Sequence, residues 1–512
     1  MVNKIKQIPV YKLILDILFI LIALAGVIVS IRMNVIGRSL WYDEAALAYS
    51  FVRRSFTELT ASGLELVQSA PVGWLYGIKI LCAIFGYSDF VMRVPSILMY
   101  VGTLILLGYI SKKVVKMYYF LAPVAFTASM PLLLQYSNVF KPYISDAFMA
   151  FLVILLFYLY KEKKLNLYIM AVLWGVILWF SSTACFVEGG IIIASFAVSL
   201  MSKDKEEIKK AFFSLLKIGV IILVFFAIYY IYWLRKVDDG MHGFWANWSF
   251  KLLPLSWQDI VDDKRMVATL IAPFYYFKAP VLILSVIGLV IAIYKKNEYI
   301  LSVYGILLVT AFASMIGMYP VNKRLWLFVY PLLILVMLYV LDFIVDKDNL
   351  KDTKSIRNIL VGVALFLTTL CNGGIRYYGN PENVYWPGYE VKGEKEYLEN
   401  VIEEGDGVYV SSSAMPMFLF YNNYNTDTLE KTGNDIVVGE VAFSPDYEGN
   451  VPDHSKEIEY ILSKDKCYLV MSDTWDDGVA YKNLYDILNA EGNISIVYNE
   501  YDTPLLLFEK TK

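Results

Sequence analysis

The sequence predicts a polytopic α-helical membrane protein that ends in a small α/β domain. The 512 residues are 58% hydrophobic and only 18% charged, whereas soluble domains average about 45–50% apolar and about 25% charged residues. Several apolar stretches reach the roughly 20 residues with which a helix crosses a bilayer. From about Gly373 onwards the sequence becomes polar and alternates between strand-like and helix-like runs.

Charge and residue counts exclude several functional classes. The net charge of −3 is too small to indicate a nucleic-acid partner. The four cysteines are scattered and form no CxxC pair. Two histidines are too few for a histidine-rich metal site and leave little room for a Ser-His-Asp hydrolase. The remaining classes are membrane enzymes, transporters and anchored envelope proteins.

The N-terminal stretch is predicted to be a retained signal anchor. The basic segment "MVNKIKQIPVYK" precedes an apolar run from about Leu13 to Val29, a pattern that secretory signals share. The following "IRMNVIGRSLW" offers no small-residue cleavage site. We therefore expect this run to remain as the first membrane span.

About eleven membrane spans are predicted, with the N-terminus in the cytoplasm. They are 12–32, 94–110, 118–135, 144–160, 166–182, 184–201, 211–234, 268–294, 299–318, 325–345 and 357–373. The apolar segment 70–90 contains Lys79 and three glycines, and its crossing would reverse the side of every later loop. Lysine clusters favour the cytoplasmic side, and nearly all of them fall there only if 70–90 does not cross. We therefore predict an interfacial or re-entrant helix over 70–90 on the outer side.

Two domains are predicted on either side of residue 373. Residues 1–373 form the transmembrane domain, whose first outer loop, 33–93, carries interfacial helices. Residues 374–512 form an extracytoplasmic α/β domain. In this domain "GVYVSSS", "KCYLVMS", "ISIVYN" and "PLLLFEK" are typical of strands, and "GEKEYLENVIEEG" and "YKNLYDILNAEG" of helices.

The predicted topology collects the unusual charged residues on the outer face. Asp43 and Glu44 stand side by side in the first outer loop, within "GRSLWYDEAALAYSF". The others are Arg93, Lys141, Asp146, Glu188, Arg235, Lys236, Lys323 and Arg324. Cations on this side oppose the positive-inside rule, and a phosphate at the membrane surface would explain them. An acidic pair together with several cations indicates group transfer from a lipid phosphate.

Each of these residues also has a simpler interpretation. Acids favour the first turn of a helix, which would account for Asp43, Glu44 and Asp146. Arg93 and Lys141 could snorkel to the lipid headgroups, and Arg324 could anchor the start of a span. Glu188 could be a structural or pore-facing acid. It is their joint placement on one side that indicates a functional site.

Four blocks of the sequence resemble one known superfamily. "LWYDEAALA" looks like the Asp-Glu signature in the first outer loop of the GT-C glycosyltransferases. "SAPVGWLYGIKILCAIFGYSDFVMRVPSIL", "YSNVFKPYISDAF" and "YPVNKRLWLFVYP" resemble three later blocks, in the same order. The pattern is most similar to the family-39-like branch, with protein O-mannosyltransferases and lipid A aminoarabinose transferase. The resemblance covers about Met1 to Val345.

The resemblance implies a polyprenyl-phosphate-linked sugar donor and an acceptor on the extracytoplasmic face. It implies that Asp43 is the base that activates the acceptor and that Glu44 orients it or shapes the site. The residues that it implies for binding the lipid phosphate or the donor are Arg93, Lys141, Asp146, Arg324, Lys79, Arg235 and Lys236. No cofactor is implied with certainty, and a divalent metal at Asp43 and Glu44 is left open without a second ligand cluster to support it.

Two blocks depart from the family pattern. Many relatives carry His-Pro-Pro or Pro-Pro where this chain has Ser69-Ala70-Pro71, so any role of that histidine is absent. Many relatives carry Glu-x-Arg where this chain has Asn138-Val139-Phe140-Lys141. A lysine supplies charge without the flat bidentate grip of arginine, so the geometry at the donor would differ.

The expected function is that of an inverting membrane glycosyltransferase, with membrane lipids around it and no nucleic acid. The alternative is a transporter or flippase of a lipid-linked substrate, which would place charged groups deep within spans. A third hypothesis is a non-catalytic envelope protein, for which eleven spans are excessive. The sequence leaves open the sugar and the acceptor, which could be a glycan, a lipid or a protein.

Overall fold

The computed structural model describes residues 9–202, 204–236, 245, 247–345, 356–384, 389–423, 436–439, 453–472 and 479–511. By contacts between residues, the chain forms two compact units. The helical unit comprises Met1–Val35, Ala70–Gly86 and Val91–Val384. The α/β unit comprises Ile36–Ser69, Tyr87–Phe90 and Tyr385–Lys512. Most of the predicted first outer loop therefore groups with the C-terminal residues, whereas the sequence assigns all of 33–93 to the transmembrane domain.

The helical unit confirms the prediction of a polytopic α-helical membrane protein. Within the described residues, seven helical stretches are long and apolar enough to cross a membrane. They contain α1 (Val10–Ile36), α4 (Asp89–Tyr109), α7 (Tyr143–Lys161), α9 (Ala184–Ser202), α10 (Lys205–Tyr232), α11 (Trp257–Ile271) with α12 (Lys278–Lys295), and α13 (Glu298–Met315). The shorter helices of this unit are α3 (Val72–Phe85), α5 (Ala122–Ala128), α6 (Pro131–Tyr136), α8 (Leu167–Ile177), α14 (Val329–Phe343) and α15 (Ile356–Leu370).

The predicted span 118–135 is not one continuous helix. It consists of α5 and α6, which are separated at Ser129 and Met130. Met130 is extended (φ −73°, ψ 123°) because Pro131 follows it and disfavours a helical conformation. The hydroxyl of Tyr100 donates a hydrogen bond of 2.7 Å to the carbonyl oxygen of Ala128, so the break does not leave that carbonyl unpaired in an apolar environment.

The predicted span 268–294 also begins later than expected. Residues 257–271 form α11, a polar helix that starts with a capping box. In this box Asp259 N–H donates to Ser256 Oγ (3.1 Å), and Ser256 N–H donates to the Asp259 carboxylate (2.9 Å). A short 3₁₀ turn, Ala272–Phe277, then leads into α12. The apolar helix therefore begins at Lys278.

The loops that were predicted to be cytoplasmic contact one another at one end of the helical unit. Asp342 accepts hydrogen bonds from the backbone N–H groups of Tyr118 (3.0 Å) and Tyr119 (2.8 Å). Lys161 forms an ion pair of 2.9 Å with Glu298. Each contact thus joins two segments that the prediction places on the same side of the membrane. The predicted cytoplasmic Lys4, Lys6, Lys203, Lys347, Lys351 and Lys354 lie outside the described residues.

Helices α9 and α13 approach each other closely through two glycines. A Cβ atom on Gly190 would overlap the backbone of Ile306, and one on Gly305 would overlap the backbone of Gly190. Small residues allow such contact between membrane helices, where packing replaces the hydrophobic effect as the driving force. The pair fixes α9, which carries Glu188, against α13.

The α/β unit confirms the predicted small sheet domain. Its strands are β1 (Gly407–Val410), β2 (Ile436–Val438), β3 (Lys466–Val470), β4 (Gly492–Glu500) and β5 (Thr503–Lys510), in the order β2-β1-β3-β5-β4. Strands β2, β1 and β3 are parallel, and β3, β5 and β4 are antiparallel. Its helices are α2 (Tyr42–Arg53), α16 (Val391–Val401), α17 (Met415–Asn423), α18 (Ser455–Leu462) and α19 (Val479–Leu488).

Apolar side chains from β1, β3 and β5 form the core of this domain with residues of α18 and α19. The buried cluster contains Tyr409, Ile461, Cys467, Leu469, Met471, Leu484, Leu488, Leu506 and Phe508. Four of the five strands coincide with the four predicted strand runs. The fifth, β2, has only three residues and was not predicted.

Candidate functional site

The acidic pair lies in the first turn of α2. Glu44 is fully buried, and its Oε2 accepts a hydrogen bond of 3.3 Å from the backbone N–H of Trp41, the residue that precedes the helix. This contact caps the helix start. Glu44 therefore has a structural role at the start of α2, which agrees with the simpler interpretation that acids favour the first turn of a helix.

Asp43 lies beside Glu44 in the same turn and is half-buried. Burial raises the pKa of the neighbouring Tyr42, and the negative charge of Asp43 raises it further. The Tyr42 phenol therefore stays protonated at neutral pH and can act as a donor beside the Asp43 carboxylate. A half-buried carboxylate can both face solvent and accept a proton.

Asp146 occupies the first turn of α7 in the helical unit and is 7% exposed. Its Oδ1 accepts a hydrogen bond of 2.6 Å from the hydroxyl of Ser181, and that hydroxyl lies 3.0 Å from the hydroxyl of Thr183. The turn between α8 and α9 therefore holds the start of α7. The sequence predicted both segments at the outer face but not this contact.

Arg93 and Lys141 are buried rather than lipid-facing. Arg93 has no exposed surface, and Lys141 is 3% exposed. Ser96, one turn after Arg93 on the same face of α4, donates a hydrogen bond of 2.6 Å to the carbonyl oxygen of Val139. This contact brings the Arg93 face of α4 to the segment that carries Lys141. Such burial does not fit side chains that snorkel to the headgroups.

Helix α3 packs against the segment that carries Lys141 and Asp146. The indole N–H of Trp74 donates to Ser145 Oγ (3.1 Å), and its ring stacks on Phe140 with a centroid distance of 5.3 Å. Lys79, which is 4% exposed, lies five residues further along α3, about 7.5 Å along the helix axis. The structure confirms a helix over most of 70–90, and the N-terminal turn of this helix contacts the segment 140–145.

The predicted fifth outer loop, 319–326, belongs to the same end of the helical unit. The ring of Tyr319 packs against Phe186 at 4.9 Å, and its hydroxyl donates to the carbonyl oxygen of Leu325 (2.6 Å). Burial raises the pKa of Tyr319 well above its ordinary value, and the nearby charge of Asp146 acts in the same direction. Arg324, which follows in this loop, places its guanidinium 5.5 Å from the ring centre of Trp245.

Arg235 and Lys236 lie in a short 3₁₀ turn, Leu234–Lys236, after α10. The preceding Trp233 is buried, and its indole N–H donates to the carbonyl oxygen of Ala70 at 2.9 Å. Arg235 is exposed, and the Lys236 ammonium lies 5.1 Å from the ring centre of Tyr232. The turn is thus tied to the start of α3, but its cations are less enclosed than Arg93 and Lys141.

Contacts therefore join the part of α4 that carries Arg93, the segment 139–146 that carries Lys141 and Asp146, and the turn 181–183. The loop 319–325 packs on the start of α9 through Tyr319 and Phe186. Lys79 lies further along α3, and Arg235 lies on the surface. Asp43 and Glu44 belong to the α/β unit. Among the described residues, no group of three or more His, Cys, Asp or Glu side chains is arranged to hold a metal ion.

A further acidic residue of the helical unit, Glu188, is buried in the structure. It lies in the second turn of α9 and is 1% exposed, and neither carboxylate oxygen has a hydrogen-bond partner among the described residues. In the sequence, a residue of this kind is recognisable as a single acid within an otherwise apolar helix.

Comparisons with known proteins give a limited likeness. No protein-family model matches the chain, and no curated protein matches it. Among solved structures, it is similar to ArnT from Cupriavidus metallidurans bound to undecaprenyl phosphate, with a TM-score of 0.49 and 11% identity over 96% of this chain and 97% of that chain. The apo state of ArnT gives a TM-score of 0.48 and 12% identity over the same shares.

Both TM-scores lie below 0.5, so the likeness assigns no residue of this chain a role.

Proposed function

We propose that this protein is an inverting membrane glycosyltransferase that takes a sugar from a polyprenyl-phosphate donor. The observation that carries the proposal is the burial of Arg93 and Lys141 on two segments that contact each other within a membrane-spanning helical unit. Arginine and lysine are the side chains that bind phosphate by charge-assisted hydrogen bonds. A lipid phosphate lies at the depth of the membrane surface, where such side chains can bind it.

The buried cations would bind the phosphate of the donor. Arg93 offers a planar guanidinium that can hold two phosphate oxygens, and Lys141 offers a compact point charge. Arg324, Lys79, Arg235 and Lys236 are proposed as further contacts for the phosphate or its lipid. Asp146, fixed by Ser181, would accept hydrogen bonds from the donor and hold Lys141 in place.

Asp43 would act as the base. It takes the proton of an acceptor hydroxyl while the acceptor oxygen bonds to the anomeric carbon. The bond from that carbon to the phosphate oxygen breaks, its electron pair leaves with the phosphate, and configuration inverts. Arg93 and Lys141 would stabilise the charge on the departing polyprenyl phosphate. Glu44 would keep the helix start in shape.

The proposal assigns the reaction to the extracytoplasmic face of the cell membrane. Lys112 and Lys113 follow the end of α4, and Lys161 ends α7, whereas Arg93 and Asp146 lie near the starts of these two helices. The positive-inside rule assigns lysine-rich loops to the cytoplasm. The N-terminus would then be cytoplasmic, and the C-terminal domain extracytoplasmic. The sugar and the acceptor stay open between a glycan, a lipid and a protein.

The direct test is transfer of radiolabelled sugar from a panel of polyprenyl-phosphate donors by purified protein in lipid nanodiscs. We expect Asp43→Asn to lower kcat about 10²–10⁴-fold, the usual contribution of a general base. Glu206→Gln, which changes an exposed first-turn acid on α10, is the matched control. Equal rates for Asp43→Asn and wild type would remove Asp43 from the mechanism.

A second comparison tests the phosphate site. Lys141→Ala should raise the donor KM at least tenfold, because a charge-assisted bond to phosphate is lost. Lys161→Ala removes an exposed lysine at the opposite end of the unit and should leave KM unchanged. An unchanged KM in Lys141→Ala would move the phosphate site elsewhere.

One observation favours the alternative of a transporter or flippase. Glu188 is an acid within a membrane helix that has no hydrogen-bond partner in the described part of the chain, and such acids mark transport pathways. A flippase would move the intact donor across the bilayer and form no new glycosidic bond. Donor that crosses sealed vesicles without any transfer to an acceptor would support that function over the proposed one.

A further inference from the structure

The segment that leads into α2 is held at several consecutive residues by the C-terminal part of the α/β unit. Ser39 N–H donates to Glu390 Oε2 (3.2 Å), and Ser39 Oγ donates to Glu390 Oε1 (3.0 Å). The backbone N–H of Lys392 in turn donates to Ser39 Oγ (2.9 Å). Both partners are buried, so these bonds are shielded from water.

The next residue is bound by a tyrosine of α17. Leu40 N–H donates to the hydroxyl of Tyr421 (2.7 Å), and that hydroxyl donates to Asp89 Oδ2 (3.0 Å). The Lys392 ammonium lies 3.6 Å from the same carboxylate oxygen. The Tyr421 hydroxyl therefore uses both its acceptor and its donor capacity, which fixes its orientation.

The residues on either side are held as well. The Arg38 guanidinium lies over the ring of Tyr501 at 3.9 Å and 3.6 Å from Glu390 Oε2. The indole of Trp41 packs edge-on against Tyr389 at 6.3 Å. Four consecutive residues, Arg38 to Trp41, are thus bound to parts of the chain that lie some 350–460 residues later.

We propose that Tyr421 and Glu390 are positioning residues for Asp43, and that holding the start of α2 is the function of the C-terminal domain. Leu40 is three residues before Asp43, and Trp41 between them caps the helix together with Glu44. Fixing Ser39 and Leu40 sets the position and direction of the first helical turn. The inference rests on the proposed function for the role of Asp43, but not for the contacts themselves.

The expected effect follows from the geometry that a general base requires. A base must lie within hydrogen-bond distance of the proton that it removes, and a displacement of 1 Å can cost about 10²-fold in rate. Loss of the Tyr421 hydroxyl would free the Leu40 backbone and loosen the first turn of α2. Binding of the donor phosphate would not depend on this bond, so kcat should fall without a change in the donor KM.

The first experiment compares Tyr421→Phe with Tyr409→Phe in the full-length protein in nanodiscs. Tyr409 is a buried tyrosine of β1 whose hydroxyl lies 3.5 Å from a Glu457 carboxylate oxygen, so it controls for loss of a buried hydroxyl in the same domain. Backbone hydrogen exchange over residues 40–46 should become at least tenfold faster in Tyr421→Phe and stay unchanged in Tyr409→Phe. Transfer should fall about tenfold in kcat, at an unchanged donor KM.

Ser39→Ala gives the same test without touching the core of the domain, should Tyr421→Phe fold poorly. It removes one bond to Glu390 and one from Lys392, and it should also accelerate exchange over 40–46 and lower kcat. Unchanged exchange in both variants would overturn the inference. Faster exchange with unchanged kcat would overturn the positioning role.

The exchange measurement also separates this inference from the proposed function. If wild-type protein transfers no sugar from any donor, the proposed function fails. Faster exchange in both variants would then still confirm that Tyr421 and Glu390 hold the start of α2, and unchanged exchange would refute it.

Discussion

The hydroxyl of Ser181 donates a hydrogen bond of 2.6 Å to Oδ1 of Asp146. The bond joins the turn before α9 to the first turn of α7, and both residues are buried. Because a buried carboxylate needs hydrogen-bond donors, this contact orients Asp146 within the cluster that contains Arg93 and Lys141.

Replacing Ser181 with alanine should therefore weaken donor binding. The variant leaves Asp146 in place but removes its donor, so its carboxylate loses a fixed direction. We expect a donor KM that is about three- to tenfold higher, corresponding to about 0.5–1.5 kcal/mol for one hydrogen bond. Ser182→Ala, one residue further along, is the control. A KM equal to that of wild type would show that Asp146 does not need this bond.

Replacing Glu188 with glutamine should raise thermal stability at neutral pH. Both oxygens of Glu188 lack hydrogen-bond partners among the described residues, and a buried unsatisfied group costs about 1–3 kcal/mol, more when charged. Glutamine keeps the shape and removes the ionisable group, so no charge can form at this buried position. Thermal unfolding followed by tryptophan fluorescence measures the change, with Glu298→Gln, which breaks the ion pair with Lys161, as the comparison. A lower Tm for Glu188→Gln would mean that the carboxylate is needed for stability.

Gly190 should tolerate no larger residue. A Cβ there would overlap the backbone of Ile306 on α13, and overpacking of this kind costs about 1–3 kcal/mol. Gly190→Ala should therefore lower the Tm. In Gly219→Ala the new Cβ meets nothing within 4 Å, and the change should be neutral or slightly stabilising because alanine favours the helix. Equal Tm values for the two variants would contradict the close packing of α9 on α13.

Ionisation of Glu394 should lower the free energy of unfolding as pH rises. Burial raises its pKa well above the ordinary value of 4.5, and neither oxygen has a hydrogen-bond partner among the described residues. The folded state therefore binds this proton more tightly than the unfolded state, so its contribution is fully present below about pH 4.5 and is lost as pH rises towards the folded-state pKa. Glu394→Gln should raise the Tm more at pH 7.5 than at pH 5. A Tm difference that does not change with pH would show that Glu394 does not titrate in this way.

The cysteines offer a test of the orientation in the membrane. Cys371 is exposed after α15, at an end that the proposed topology places outside the cell, whereas Cys467 is buried in the sheet. Burial raises the pKa of the Cys467 thiol to about 12, so little reactive thiolate forms. A membrane-impermeant maleimide added to intact cells should label Cys371, and the label should disappear in Cys371→Ser. Labelling of Cys371 only after cell lysis would place this residue on the cytoplasmic side and contradict the proposed orientation.

The fold could largely be predicted because membrane spans depend on local composition. Apolar runs of sufficient length locate most of the helices, and the strand runs of the C-terminal domain have a β-branched and aromatic composition. Pro131 indicates a break between α5 and α6, but the continuous apolar composition of 118–135 predicts a single span. Strand β2 has only three residues, too few for a pattern.

The site could be predicted less well, because burial and pairing depend on packing between distant segments. The sequence identifies Arg93 and Lys141 as unusual cations, but it cannot distinguish a buried cation from one that snorkels. It likewise could not link Ser39 to Glu390, since these residues are separated by 351 positions. The grouping of the first loop with the C-terminal domain depends on such contacts.

The break between α5 and α6 also dictates when the membrane part can be completed. The carbonyl oxygen of Phe126 accepts a hydrogen bond from the side-chain amide of Asn372, which lies 246 residues further along. At a synthesis rate of about 5–20 residues per second, that partner emerges about 12–50 s after the break itself. During this interval the carbonyl has a local partner, because the hydroxyl of Ser129 donates to the same oxygen at 3.3 Å. The break between α5 and α6 therefore acquires all its hydrogen bonds only after α15 and Asn372 have been made.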